Sequence, residues 1–269
     1  MYVKSEIFTK LGMGKSGFGG DYVLKNSYAT GYGNFVVNKK QEKFKVDVDT
    51  HAYAPATGVI SNVTDLAKLI TQFSLRIKNN KIISTQSLAS MVKTRIKIEN
   101  DEQYGFGTQI NILSGKNIVG HSGGASGFST YVGYDQKDDI GVIILTNAHK
   151  FQATNIGLGI FDMLNRLKGE FSKYDTIEKF KNNKKYEGIY SSRWGDSLIV
   201  QVGNSFFDLG PKGSFLLKFS DILEPIDSKT YKVVSKSGYG MNGETVRFGK
   251  DKKSKKYYID FGSSRSNQI

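Results

Sequence analysis

The sequence predicts an α+β protein in which an antiparallel sheet flanked by helices is followed by a small antiparallel β-barrel. Three observations carry that prediction. Apolar residues alternate with period two from Gly105 to Asn147. Helical stripes lie on either side of that stretch. Beyond Tyr186 short β-like segments follow one another at close, regular spacing, which is the pattern of a barrel or sandwich.

Each element has its own signal. Residues 1–57 are rich in Gly, Tyr, Asn and Lys and show little periodicity. They are expected to be mostly loop, with short strands around Phe35-Val36-Val37. The first clear helix follows, with Ser61 or Asn62 as cap, Asp65 in the first turn, and Leu66, Leu69, Ile70 and Phe73 at helical spacing. A second, shorter helix is expected over Ser84–Lys93. Then Thr108–Leu113, Lys116–Gly120, Ser129–Asp135 and Gly141–Asn147 read as four strands. The hairpin turns "LSGKN" and "DQKDD" join them, so the sheet is antiparallel. A third helix carries Ile156, Ile160, Met163, Leu164 and Leu167 in one stripe. Residues 1–172 are expected to form one domain, the polar and basic stretch 173–185 a linker, and 186–269 the barrel. In the barrel, "YEGIYSS", "SLIVQVG", "SFFDLGP", "SFLLKFS", "TYKVVS", "TVRFGKD" and "KKYYIDFG" are the candidate strands.

Composition narrows the function classes. The chain has 269 residues, 38% of them hydrophobic and 23% charged, which is ordinary for a globular protein. No run approaches the ~18 apolar residues of a transmembrane segment. "MYVKSEIFTKLGM" has no apolar core of the kind a secretory signal needs. With no cysteine there is no disulfide, thiolate nucleophile or Cys-ligated metal. A formal charge of +13 favours anionic partners, although the lysines are spread along the whole chain.

Several motifs are decoys. Gly14-Lys15-Ser16 ends like a phosphate-binding loop, but Thr9 stands where the first glycine is needed and no apolar strand precedes it. Ser90 and Lys93 have S-x-x-K spacing, yet they lie on an amphipathic surface segment in a chain with many serines and lysines. Tyr32-Gly33-Asn34 imitates a Y-x-N motif. There is no G-x-S-x-G. His51 and His149 have no carboxylate or histidine at ligand spacing, so neither metal nor cofactor is expected. The basic residues do not interleave with aromatics in a nucleic-acid module, so no nucleic-acid partner is expected.

The stretch "IVGHSGGASGFSTYVGYD", Ile118–Asp135, is the informative one. It holds one of three histidines and five of thirty glycines. Glycine is costly inside a strand, so such a cluster marks a place where the backbone approaches something closely. "GHSGGASGFSTYVGYDQKDDIGVIILTN" resembles the third-motif strand and following hairpin of the serine β-lactamase-like hydrolases. These include class C β-lactamases, D-alanyl-D-alanine carboxypeptidases, and related esterases and aminopeptidases, many with H-x-G in place of K-T-G. "YVKSEIFTKLGM" is similar to their segment ending in P-L-G-M, "ATGYG" to A-x-G-Y, "APATGVISNVTDLAKLI" to their S-T-x-x-D-L-A helix start, and "YGFGTQI" to Y-G-L-G-W. The order and spacing agree over roughly residues 2–168. The C-terminal segments are similar to the lipocalin-like barrel appended to many of these hydrolases.

The resemblance implies a β-lactamase/transpeptidase-like fold and roles on one strand. His121 would place a donor or cation near a substrate carboxylate or the attacking group. Ser122 would hydrogen-bond the substrate. Gly123 would let the acyl group approach, and the Gly124 N–H would be the second oxyanion donor. It implies acyl-enzyme hydrolysis of a β-lactam, D-amino peptide or ester, a small-molecule or peptide substrate, and work outside the cytoplasm. The family's nucleophilic S-x-x-K and its Y-x-N precede the P-L-G-M-like segment and are not in this sequence. The chain is therefore expected to be an N-terminally truncated, C-terminal portion of such an enzyme, inactive alone. The alternative expectation is a non-catalytic protein that binds cell-wall peptides or an anionic cell-wall polymer.

Overall fold

The computed structural model describes residues 2–18, 28–33, 42–44, 53–99, 102–125, 127–149, 152–173, 183–193, 195–209, 221–235, 242–262 and 264–269. The expected strand at Phe35-Val36-Val37, the "SFLLKFS" segment and most of the 173–185 linker lie outside these residues. The chain divides into two compact units, Met1–Phe161 and Asp162–Ile269.

The first unit opens with a helix over residues 2–11, where the composition read as loop. Its middle, Lys4–Thr9, is π-helical. Val3, Ile7, Phe8 and Leu11 supply its apolar face and pack with Met13, Phe18, Leu69 and Ile82. One apolar stripe this short is easily lost in a polar background, so tertiary packing decides the helix. Gly12 ends it at φ +66°, with Met13 N–H donating to Phe8 O at 2.8 Å. That is glycine's usual service at a helix C-terminus.

Strands β1 (Gly17–Phe18) and β2 (Val59–Ile60) then pair, and the short helix α1 (Ala54–Thr57) precedes β2. Helix α2 (Val63–Ile70) is capped by Asn62, whose side chain accepts from Asp65 N–H at 3.0 Å. Helix α3 (Thr85–Met91) is capped in the same way by Ser84. A six-stranded antiparallel sheet follows in simple order. Its strands are β3 (Ile96–Glu99), β4 (Glu102–Tyr104), β5 (Gln109–Leu113), β6 (Lys116–Ala125), β7 (Phe128–Asp135) and β8 (Ile140–Thr146). β3 and β4 had no clear sequence signal, because both are short and charged, with β3 at the sheet edge and β4 beside it. Ser114 and Gly115 both have positive φ, which builds the tight β5–β6 turn.

Both faces of this sheet are covered. Ile118, Tyr131 and Val142 pack with Ala153, Leu158 and Phe161 of α4 (Ala153–Lys173). Ile110, Val119 and Tyr134 pack with Ile70 of α2 on the opposite face. Consecutive Ile118 and Val119 thus serve different cores, as the two-residue strand period requires.

The second unit is a closed antiparallel barrel of eight strands, each paired with its neighbour in sequence. They are β9 (Gly188–Ser192), β10 (Gly195–Val202), β11 (Ser205–Leu209), β12 (Asp221–Pro225), β13 (Thr230–Val234), β14 (Thr245–Lys250), β15 (Tyr257–Asp260) and β16 (Arg265–Gln268). β16 returns to β9 through Asn267↔Ser191 and Gln268↔Tyr190. Closure leaves no free edge. The interior is filled by Tyr190, Phe206, Tyr231 and Phe248 with aliphatic neighbours, and the Tyr186 ring stacks on Phe248 at 4.4 Å. Eight strands enclose just enough room for such a core.

Candidate functional site

The candidate site is built on the last five residues of β6. β7 pairs with β6 along its whole length, from Ile118↔Asp135 to Ala125↔Phe128. β5 pairs with it only as far as Gln109↔Gly120. Before Gln109 the chain turns away through Gly107 (φ +69°), with Gly105 N–H donating to Thr108 O at 2.9 Å. Among the described residues, 121–125 therefore have one flank paired with β7 and one on which no strand is paired. In an antiparallel ladder every second N–H points to the same flank. Beyond Gly120 those on the flank without a neighbouring strand belong to Ser122 and Gly124. Ser122 N–H donates to Gln109 Oε1 at 2.8 Å, so a side chain continues what the ladder has stopped doing. Gln109 is itself held, donating from Nε2 to Glu102 Oε1 at 3.3 Å.

The glycines divide by cause. A Cβ at Gly120 would lie 1.9 Å from Val132 O, and one at Gly127 would lie 2.6 Å from Gly31 Cα. The fold requires those two. The second arises because residues 30–33 cross the end of β8, with Tyr32 N–H donating to Asn147 O at 3.0 Å and His149 N–H to Tyr32 O at 2.9 Å. A Cβ at Gly123 would meet Thr130 Oγ1 at 2.4 Å, a hydroxyl that can rotate. A Cβ at Gly124 would meet nothing within 4 Å. Packing does not require glycine there, which leaves the approach of a ligand as a physical reason for it.

His121 is exposed and doubly engaged. Its Nδ1 lies 2.6 Å from Ser122 O and its Nε2 lies 2.8 Å from the Tyr104 hydroxyl. The Tyr104 and His121 rings meet edge-on, 5.8 Å between centroids. Across the ladder from Ser122 stands Tyr131, fully buried with its hydroxyl unpartnered. Burial pushes the Tyr131 phenol far up, so it is not a base for chemistry at this strand.

The decoys resolve physically. Lys15 N–H and the Ser16 hydroxyl both donate to Asp65 Oδ2, at 2.8 and 3.0 Å, so the Gly14-Lys15-Ser16 loop already holds a carboxylate. Ser90 Oγ accepts from Arg95 Nη2 at 2.9 Å, and α3 ends at Met91, so Lys93 is not one helical turn along the same helix. Tyr32 forms backbone bridges to Lys43 and Ala148, while Asn34 lies outside the described residues. His149 lies against the Phe44 ring at 5.9 Å, and His51 lies outside the described residues. Among the described residues no group of three or more His, Asp or Glu side chains could hold a metal ion. No helix described is long and apolar enough to cross a membrane.

Sequence reasoning named His121, Ser122, Gly123 and Gly124 and missed Tyr104 and Gln109. Those two flank the Gly105–Thr108 turn, and nothing in their own types points to a strand they reach only through space.

Helices cover both faces of the antiparallel sheet, and its strand β6 is glycine-rich from Gly120 on. Residues 1–159 match the Beta-lactamase family, and the chain belongs to it. The octameric penicillin-binding protein homologue from Pyrococcus abyssi is 25% identical with a TM-score of 0.52, over 99% of this chain and 59% of that one. The chain thus spans less than two thirds of that relative's length. D-amino acid amidase from Ochrobactrum anthropi SV3, in complex with L-phenylalanine amide, is 17% identical over 63% of this chain and 51% of its own, with a TM-score of 0.49. A class C beta-lactamase is 17% identical over 55% and 46% respectively, with a TM-score of 0.45. No curated protein matches the chain.

Proposed function

We propose that His121–Gly124 form one wall of an acyl-transfer site in a serine hydrolase acting on a β-lactam, a D-amino peptide or an ester. The observation that carries this is the flank of β6 beyond the end of β5, where the Gly124 N–H follows the Ser122 N–H and, among the described residues, a Cβ at Gly124 would meet nothing within 4 Å. In the reaction a serine Oγ adds to the substrate carbonyl carbon while a base takes its proton. The carbonyl oxygen becomes an oxyanion, and the Gly124 N–H is aimed at it. The leaving amine or alcohol departs with a proton, and water then releases the acyl group from the serine. A preset donor of this kind is worth about 3 kcal/mol in the transition state. Ser122 and His121 bind the flanking polar groups of the substrate.

The serine and its base belong to motifs absent from these 269 residues, and acyl transfer needs an activated nucleophile. The chain by itself is therefore expected to bind without turnover. The barrel, which we read as the lipocalin-like module, has an aromatic interior that makes it a packed companion rather than a ligand cup.

The test is a titration with benzylpenicillin or a D-alanyl-D-alanine peptide, followed by backbone amide NMR. Shifts confined to residues 121–125 are expected, and their loss in Gly124→Pro. Proline is tolerated where a strand N–H is outside the ladder, so this variant should fold while lacking the donor. A response elsewhere, or an unchanged response in the variant, refutes the wall. Hydrolysis of a p-nitrophenyl ester that disappears in His121→Ala would overturn the expected inactivity and reopen Ser90 and Lys93.

A second reading, non-catalytic binding of an anionic cell-wall polymer, draws on the net charge of +13 and on exposed Lys252, Lys253, Lys255 and Lys256 in the β14–β15 turn. It requires binding that weakens steeply with salt. Binding that ignores ionic strength removes it.

A further inference from the structure

We propose that Tyr104 is a positioning residue for His121 and holds its imidazole as the Nδ1–H tautomer. The inference rests on reading His121 as a site residue, but its test does not.

The Ser122 carbonyl oxygen can only accept, so the 2.6 Å contact requires a proton on His121 Nδ1. In a neutral imidazole the other nitrogen is then bare and can only accept. The Tyr104 hydroxyl, 2.8 Å from Nε2, is therefore the donor. The edge-on ring contact fixes the direction of approach as well as the distance.

The position of Tyr104 gives this pairing a purpose. Tyr104↔Gln109 is the last pair of the β4–β5 ladder, immediately outside the turn where β5 leaves β6. These two residues take over where the sheet's own bonds stop. Gln109 holds the backbone at Ser122 and Tyr104 holds the side chain at His121. A histidine on a strand flank without a neighbour would otherwise sample several rotamers and both tautomers.

The pairing also constrains chemistry at the strand. With Nδ1–H given to Ser122 O and Nε2 accepting from the Tyr104 hydroxyl, neutral His121 has no free N–H for a substrate. A substrate that uses the ring must displace the Tyr104 hydroxyl. Protonating Nε2 instead reverses the bond, with Nε2–H donating and the phenolic proton of Tyr104 released to an incoming acceptor. Tyr104 thus decides which atom of the pair presents a donor.

The experiment is nitrogen-15 NMR of the histidine side chains in the full 269-residue chain, in alkaline buffer and without substrate. His121 is assigned by the loss of its signals in His121→Asn. In the wild type the Nδ1–H form should dominate. In Tyr104→Phe, which keeps the ring, the tautomer ratio should move roughly two- to tenfold toward Nε2–H, the factor one net hydrogen bond is worth. Gln109→Leu should leave the ratio unchanged, because it removes the backbone clamp and not the phenol.

A wild type dominated by Nε2–H overturns the proposal without any variant. So does a folded Tyr104→Phe chain with an unchanged ratio, or an equal shift in Gln109→Leu. Failure of ligand titration at residues 121–125 would count against the acyl-transfer reading and leave the tautomer result standing.

Discussion

Asp65 is almost wholly buried, yet it belongs to the first turn of a helix, where aspartate usually faces water. Burial alone would raise its carboxyl. The Lys15 N–H, the Lys68 ammonium and the Ser16 hydroxyl outweigh that and hold it below the ordinary aspartate range. The same carboxylate clamps residues 15–16 onto α2, while Lys68 also reaches Gly12 O at the end of the first helix. A folded-state value below the unfolded one makes the carboxylate stabilising above its unfolded pKa of about 3.9. That contribution disappears as pH falls through the folded value. Asp65→Asn should therefore lose about 2–3 kcal/mol at neutral pH, the cost of breaking buried charge-assisted hydrogen bonds. Urea unfolding at pH 7 and again at about pH 3 checks this, because the gap from wild type should shrink in acid. A gap independent of pH would show that shape rather than charge matters there. The sequence displayed Asp65 as a first-turn acid and Ser61 or Asn62 as the cap, and the structure makes Asn62 the cap. That the acid turns inward was not legible, because Lys15 and Ser16, which hold it there, are about fifty positions away.

At the scale of elements, α4 lies on β7 through one glycine. A Cβ on Gly157 would come within 2.2 Å of the Tyr131 ring, which is itself fully buried and cannot swing aside. Alanine would improve the helix by up to ~1 kcal/mol through propensity. Overpacking a closed core costs ~1–3 kcal/mol or more. The packing cost wins, so Gly157→Ala should lower the thermal midpoint, and a rise would refute the close approach. The helix was readable from its stripe, and the strands β5–β8 from their alternation. The short strands β3 and β4 and the first helix were not, since short charged strands and a single apolar stripe resemble loop in one dimension. Of the candidate site, the four strand residues were named from their glycine-rich setting and the family resemblance, and the structure places them in succession on β6. Tyr104 and Gln109 became visible only when the turn at Gly105–Thr108 placed them beside β6.

At the scale of the molecule, the barrel has its own core and its own closed set of backbone bonds. Residues 183–269 produced alone should fold cooperatively, as a closed sheet around a packed aromatic core can. A far-ultraviolet β spectrum with a sigmoidal melt is the expected result, and a melt without a transition would show that the barrel depends on the rest of the chain. Phe248→Ala in that fragment should cost about 3–5 kcal/mol, because Tyr186, Tyr190, Phe206 and Tyr231 all pack on its ring.

From its sequence alone this protein has an α+β sheet region, a β-rich C-terminal region over 186–269, and a histidine–glycine strand with a family's stamp on it. Those follow from local periodicity and residue order, which act over a few positions. Tertiary structure decided the rest. It closed the expected barrel with eight strands, turned Asp65 inward, and stopped β5 at Gln109 so that β6 runs on beyond it. Each of these joins residues distant in sequence, and only the folded chain specifies such contacts.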